Sequence, residues 1–243
     1  MYLLLIAMGF GAGLIMSALG TAWGAICVPI LIIFGIDPVV AKGSALTSEI
    51  SVAVISSSIH KRFGHIRSEL VLALLLGVLG IVFGSWLSLS IPSQGMRFII
   101  GIYEIIIGSL ILFKKSSSKD LRTTKNLTSI IAIGFIAGFA KGFLGSGWGP
   151  IGASLLILLG IAVHEVIAST IVVRIAISTS SALMHIAINA INWNYIILLT
   201  IGGVIGSILG AFLSNRLEPK LLNKMVGLVI LLLGVLILVK EFF

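Results

Sequence analysis

The sequence predicts an all-α fold: a polytopic integral membrane helix bundle of two inverted-topology repeats, with broken or re-entrant helices at a glycine-rich turn in each. Three observations predict it. Of 243 residues, 58% are hydrophobic and 10% are charged, with a mean hydropathy of +1.24, well above what a water-soluble domain carries. The chain matches itself when slid by 125 residues. The charge on equivalent joints then reverses between the two copies, as it does when one copy is turned over in the membrane.

Apolar runs cover about 2–19, 25–36, 44–59, 70–91, 96–113, 127–144, 150–163, 166–188, 195–213 and 221–239, separated by short polar joints. Most approach the roughly 20 residues of a spanning helix. The runs beginning near Ala25 and Pro150 are short and read as half-helices. The first run lacks the basic leader of a secretory signal and precedes further membrane segments, so it is expected to be structure. One cysteine, Cys27, excludes an internal disulfide and is expected in packing. The net charge of +8 sits mostly in the joints, where topology explains it; membrane lipid is the expected surrounding and no nucleic-acid partner is implied.

The repeat pairs "AGLIMSALGTAWGAICVPILIIFGI" with "AGFAKGFLGSGWGPIGASLLILLGI": Gly13 meets Gly138, Gly20 meets Gly145, Trp23 meets Trp148, Gly24 meets Gly149, Gly35 meets Gly160, Ser44 meets Ser169 and His60 meets His185. A shift of one residue then aligns "GIVFGSWLS" with "GSILGAFLS". A single transmembrane domain, 1–243, thus divides into a first repeat 1–118, a linker 119–126 and a second repeat 127–243. The joint "HKRFGHIRSE" carries Lys61, Arg62 and Arg67, whereas its counterpart "NAINWN" is uncharged. The next joints, "IPSQGMR" and "SNRLEPKLLNK", show the opposite preference. The basic central joint "KKSSSKDLRTTK" is expected in the cytoplasm, on the same side as Lys61, Arg62, Arg67, Arg216, Lys220 and Lys224. Lys42, Arg97, Lys240 and both termini fall outside, and each half makes an odd number of crossings, either five spans or three spans with a re-entrant pair.

Four charges remain in apolar sequence: Glu49, Glu104, Lys141 and Arg174. Charge at membrane depth is costly and faces a cavity or a partner. At about 100° per residue, Arg174, Ser178, Ser181 and His185 share one stripe, and their counterparts are Glu49, Ala53, Ser56 and His60. Two readings stay open: Glu49 and Arg174 form a salt bridge between the halves, or the stripes line an anion pathway in which Arg174 attracts substrate. Both hold if substrate competes with Glu49. Serines on membrane helices also serve as ordinary interhelical hydrogen bonders.

The stretch "AKGFLGSGWGP" predicts an unwound turn between a helix ending near Lys141 and one beginning at Pro150. Exposed amides at a helix start bind anions, and Lys141, whose counterpart is Met16, adds positive charge. The competing reading is close packing, because Gly134, Gly138 and Gly142 form a small-residue ridge. A nucleotide loop is not expected, since the lysine precedes the glycines, no Ser or Thr follows it in the required place and no strand leads into them. Glu104 faces two roles, proton coupling or a protonated interhelical hydrogen bond; its counterpart is Ile230. His60 and His185 are expected as interfacial anchors. The sequence offers no metal cluster, nucleophile-base pair or cofactor motif, so no catalytic residue, metal or cofactor is expected, and no enzyme.

The paired segments "GFGAGLIMSALGTAWGAICVPIL" and "GFIAGFAKGFLGSGWGPIGASLL", each followed by a short glycine-ended helix and a serine-rich helix, resemble the sulfite exporter TauE/SafE family of membrane permeases over nearly the whole chain. Gly20, Gly24 and Pro29 fit the family's pattern in the first half, and Gly145, Gly147 and Gly149 in the second. The sequence departs from it at Thr21, Ala22 and Trp23, and at Ser154 where the second half lacks the proline. The resemblance implies transport of sulfite, organosulfonates or related small anions, commonly outward, across the cell membrane of a bacterium or archaeon. The candidate substrate-binding set is Gly20, Thr21, Trp23, Gly24, Gly145, Ser146, Gly147, Trp148, Gly149, Lys141, Arg174, Ser178 and Ser181, with Glu49 and Glu104 as coupling or salt-bridge residues. A homodimer is compatible with the sequence. The alternative is a non-transporting membrane scaffold or assembly protein, with an intramembrane enzyme a distant third.

Overall fold

A computed structural model describes residues 2–113, 126–214 and 219–242. The joint 114–125 and Arg216, on which the charge argument partly rests, lie outside the described residues. In chain order the helices are α1 (Tyr2–Leu19), α2 (Trp23–Ile33), α3 (Pro38–Arg62), α4 (Ser68–Leu74), α5 (Gly77–Ser88), α6 (Ser93–Phe113), α7 (Leu127–Leu144), a π-helical segment (Trp148–Ala153) running into α8 (Ser154–Leu158), α9 (Val163–Ala187), α10 (Trp193–Leu213) and α11 (Pro219–Phe242). Seven stretches among the described residues are long and apolar enough to cross a membrane, α4 and α5 together forming one of them. Large apolar side chains such as Leu79, Trp86, Leu110, Ile205 and Leu232 point outward, while Glu49, Glu104, Lys141, Arg174 and serines such as Ser56 and Ser178 are buried. That distribution suits a bundle whose solvent is lipid.

Local chemistry sets the helix ends. Asp37 caps α3 by accepting from the Val39 amide at 2.8 Å, with Pro38 at the first helical position. Asn126 and Asn192 cap α7 and α10 in the same way, accepting from the Thr128 amide at 3.2 Å and the Asn194 amide at 3.0 Å. The short helices appear where the short apolar runs predict them, α2 with 11 residues and Trp148–Leu158 in the second half.

Glycine sets the packing. α1 lies on α10, and α5 on α7, with backbones touching: a Cβ on Gly13 would stand 2.3 Å from the Gly203 carbonyl oxygen, and one on Gly138 would stand 2.1 Å from that of Gly77. Small residues allow this approach in a membrane, where hydrophobic burial does not drive helices together. The packing role expected of Gly134, Gly138 and Gly142 is therefore present, Gly134 against α4 and the other two against α5.

Contacts between the halves are reciprocal. The Ser44 hydroxyl accepts from the Asn192 amide at 2.8 Å, and its counterpart Ser169 accepts from the Arg67 amide at 3.0 Å. Gly20 abuts Ile167, and Gly145 abuts Lys42, the counterpart of Ile167. α3 and α9, equivalent in sequence, lie antiparallel: Gly43 stands against Ala190, Glu49 against Arg174, and Arg67 against Ser169.

Four expectations need correction. α7 continues three residues past Lys141 to Leu144, so the unwound turn is only Gly145–Gly147. Pro150 is the third residue of its helix; an amide there has no intrahelical acceptor, so the missing N–H costs nothing. Lys42, assigned to an outside joint, lies in the second turn of α3 and is wholly buried. His60 and His185 are not interfacial anchors: both are buried, and their rings donate to the carbonyls of Ser17 at 2.9 Å and Ser181 at 2.8 Å.

Candidate functional site

α3, α7 and α9 meet at one carboxylate. Glu49 Oε1 accepts from Arg174 Nη1 at 2.8 Å, and Oε2 accepts from Ser178 Oγ at 2.8 Å and from Lys141 Nζ. All of these side chains are at most 2% exposed. Arg174 also donates through Nη2 to the Gly20 carbonyl, tying the cluster to the first glycine turn. One acid thus serves two bases, which leaves an excess positive charge at the centre of the bundle. Partners at this depth are required, because a lone buried ion costs several kcal/mol.

The two glycine turns touch beside this cluster. Gly20 (φ 68°) and Ala22 (φ 82°) bend the first turn, and Gly145 (φ 78°) and Gly147 (φ 135°) bend the second. Ala22 occupies the left-handed region that its counterpart Gly147 adopts without penalty, a strain of about 1–3 kcal/mol that the surrounding packing must hold. A Cβ on Gly24 would fall 1.9 Å from the Gly145 carbonyl oxygen, and one on Gly149 would fall 2.2 Å from Thr21 Oγ1. Only glycine lets the turns meet. Between them lies a cavity of about 10 Å³, lined by residues of both turns with Lys141 and Arg174. That is room for a single water molecule.

Polar groups around the turns remain without partners. Thr21 Oγ1, Ser146 Oγ, Trp148 Nε1 and Arg174 Nε are buried and make no hydrogen bond, whereas Trp23 Nε1 donates to the Ala45 carbonyl at 2.8 Å. Each is a donor in a place where an unsatisfied group costs about 1–3 kcal/mol. Of these residues, Ser146, Trp148 and Arg174 line the cavity together with Lys141, an arrangement suited to an oxyanion.

The sequence-predicted residues divide accordingly. Glu49, Lys141, Arg174 and Ser178 form the cluster, and Gly20, Thr21, Trp23, Gly24, Gly145, Ser146, Gly147, Trp148 and Gly149 form the turns. Ser181 stands apart from Glu49, pairing with Ser85 Oγ at 3.2 Å and His185 Nδ1 at 3.3 Å. Glu104 is wholly buried on α6, near Ser146 rather than in the cluster. Sequence reasoning missed Lys42, a third buried basic residue: Nζ donates to Ser88 Oγ at 2.6 Å and to the Phe143 carbonyl at 3.1 Å, in the last turn of α7. A signal was available. Asp37–Pro38 marks a helix start, and Lys42 lies seven residues before Glu49 on that helix, on the same face.

The chain matches the family model described as sulfite exporter TauE/SafE over residues 5–237. It is 27% identical to the probable membrane transporter protein YtnM of Bacillus subtilis (strain 168), in an alignment covering 96% of this chain and 81% of that protein. No solved structure matches it. With a family match that spans both glycine turns and every charge of the central cluster, the chain belongs to the sulfite exporter TauE/SafE family of membrane transporters.

Proposed function

We propose that the protein is a secondary transporter of a small anion, sulfite, an organosulfonate or a related sulfur oxyanion, moved outward across a prokaryotic cell membrane through the point where the glycine turns touch. The observation that carries this reading is the central excess of positive charge, with Lys141 and Arg174 sharing the single carboxylate of Glu49 beside unpartnered donors. An oxyanion offers Arg174 an acceptor oxygen in place of Glu49 Oε1, so substrate competes with the carboxylate for the guanidinium. Lys141 then keeps Glu49 neutralised while Arg174 turns to the anion. The salt-bridge reading and the anion reading are two positions of one arginine.

A cavity the size of one water cannot hold a sulfur oxyanion, so loading requires the turns to part. Glu49 and Lys141 sit on α3 and α7, and Arg174 on α9, so the cluster spans the two repeats. Exchange of partners at Glu49 is then tied to movement of one repeat against the other. An inverted arrangement, with the central joint in the cytoplasm and both termini outside, is supported by the antiparallel α3 and α9 and by the reciprocal serine contacts.

The test is flux of sulfite and of methanesulfonate in liposomes containing the purified protein. Wild type is expected to move at least one of them, and Arg174→Gln to move neither while remaining folded. Glu49→Gln combined with Arg174→Gln and Lys141→Met, which removes all three buried charges together, is expected to fold and stay inactive. If that triple variant transports at the wild-type rate, the charge cluster is architecture. If wild type moves no sulfur oxyanion, the scaffold reading gains and the substrate class is wrong.

A further inference from the structure

Glu104 lies in the middle of α6, wholly buried, and neither carboxylate oxygen has a hydrogen-bond donor or a cation within ion-pair distance. Its neighbours are the hydroxyls of Tyr103 on the same helix and Ser146 in the second glycine turn; Ser146 Oγ stands near enough to interact with both the Glu104 carboxyl and the Tyr103 hydroxyl, although none of the three is in hydrogen-bond geometry. Among the described residues, no charged side chain of α2, α3, α7 or α11 pairs with it. Packing does not demand an acid here, since the repeat counterpart, Ile230, is equally buried and apolar. An ionised carboxylate without partners inside a membrane bundle is prohibitively costly, so the closed arrangement calls for the neutral acid.

We propose that Glu104 is the proton site of the transporter, and that Ser146 links it to the anion. This rests on the reading of the glycine-turn cavity as the anion site. A serine hydroxyl has one hydrogen to donate and two lone pairs to accept with. When Glu104 is ionised, the Ser146 hydrogen goes to the carboxylate and the cavity loses a donor. When Glu104 is protonated, its own O–H is donated to Ser146 Oγ, and the Ser146 hydrogen turns to the anion. Proton and anion therefore favour each other's binding, and by linkage the preference is reciprocal. The proton comes from water on the side where the site is open, sits on one carboxylate oxygen during passage and leaves to water on the other side. A hard metal cation is a poorer occupant, because one carboxyl and two hydroxyls fall short of the six or more oxygens that such ions as calcium gather.

The experiment uses the full chain in liposomes with methanesulfonate, whose charge is fixed across ordinary pH, a pH dye inside and the membrane potential clamped by potassium and valinomycin. Wild type is expected to move about one proton with each anion, so its flux is neutral and does not respond to potential. In Glu104→Gln, which mimics the neutral acid without its proton, the proton-to-anion ratio should fall at least tenfold and flux should become potential-dependent. Ser146→Ala should weaken methanesulfonate binding and its pH dependence together. Methanesulfonate flux in wild type without proton movement, or flux that requires sodium, overturns the coupling alone. Proton movement that persists in Glu104→Gln overturns the assignment of the residue. If neither methanesulfonate nor sulfite moves in wild type, the reading of the cavity falls and the coupling falls with it.

Discussion

In the first half, Gly20, Thr21 and Ala22 carry the chain from α1 into α2; in the second, Gly145, Ser146 and Gly147 carry it from α7 into the π-helical segment. Both turns use the left-handed region at equivalent positions, and each is touched by the other's hydroxyl residue or carbonyl. Their charged surroundings differ. Lys141 stands where the first half has Met16, Lys42 packs on Gly145 where Ile167 packs on Gly20, and Glu104 stands near Ser146 while its counterpart is Ile230. The repeat conserves the parts that set backbone approach and varies the parts that carry charge. Geometry is doubled, whereas chemistry is concentrated at the second turn.

The comparison breaks most severely at Glu49. Removing its charge by Glu49→Gln leaves Lys141 and Arg174 buried together with no acid, and a stability loss of about 3–5 kcal/mol is expected, read as a large drop in thermal midpoint in detergent. Arg174→Gln should cost clearly less, because Lys141 still neutralises Glu49. Equal losses in the two variants would mean that Lys141 does not share the carboxylate.

Next in size are the turn glycines. Gly24→Ala and Gly149→Ala should each cost about 1–3 kcal/mol or more by forcing backbone apart, or roughly 2–12 °C in thermal midpoint for a chain of this size. Gly11→Ala meets nothing within 4 Å and serves as the control. If only one of the two turn variants is destabilised, the turns are not equivalent.

Smaller still are the reciprocal serines. Ser44→Ala and Ser169→Ala each remove one hydrogen bond to an amide of the opposite half, and both should cost about 1 kcal/mol. The same equivalence can be sharpened by topology: single cysteines at Ser68 and Asn194, in a background lacking Cys27, should label from opposite sides of the membrane. Labelling from one side removes the inversion.

How much of this was legible in sequence follows from what each signal encodes. The spans come through because hydropathy is read over a long window, and the turns because glycine and the repeat reinforce each other. The pairing of Glu49 with Arg174 was readable as one alternative because the repeat places both on matching stripes. That Lys141 also binds Glu49 was not, since a stripe on one helix does not say which other helix faces it. Ser85 and Ser88 went unnoticed for the same reason, their partners lying 96 and 46 residues away in the chain. Lys42 escapes a hydropathy reading because the apolar run begins at Ser44, after the charge, although the helix starts at Pro38. The histidines were misplaced because an imidazole can satisfy itself on a backbone carbonyl inside a bundle as readily as at its surface.

The smallest stability effect falls on the tryptophans, and it separates architecture from binding. Trp23 and Trp148 are equivalent in sequence and equally buried, and each ring fills the space above a glycine of the opposite half, Gly203 for Trp23 and Gly77 for Trp148. Only Trp23 has a partner for its indole N–H, the Ala45 carbonyl at 2.8 Å. Trp23→Phe should therefore cost about 1 kcal/mol more than Trp148→Phe, because both changes remove the same buried ring volume and only the first also removes a hydrogen bond. Anion binding should show the reverse order. If the Trp148 N–H is held for the substrate, Trp148→Phe weakens the affinity for methanesulfonate by roughly three- to tenfold, the worth of one hydrogen bond, while Trp23→Phe leaves it nearly unchanged. Thermal midpoints without ligand and shifts on adding methanesulfonate measure both quantities on the same samples. An affinity unchanged in Trp148→Phe would take this indole out of the site and leave the two tryptophans as matched packing.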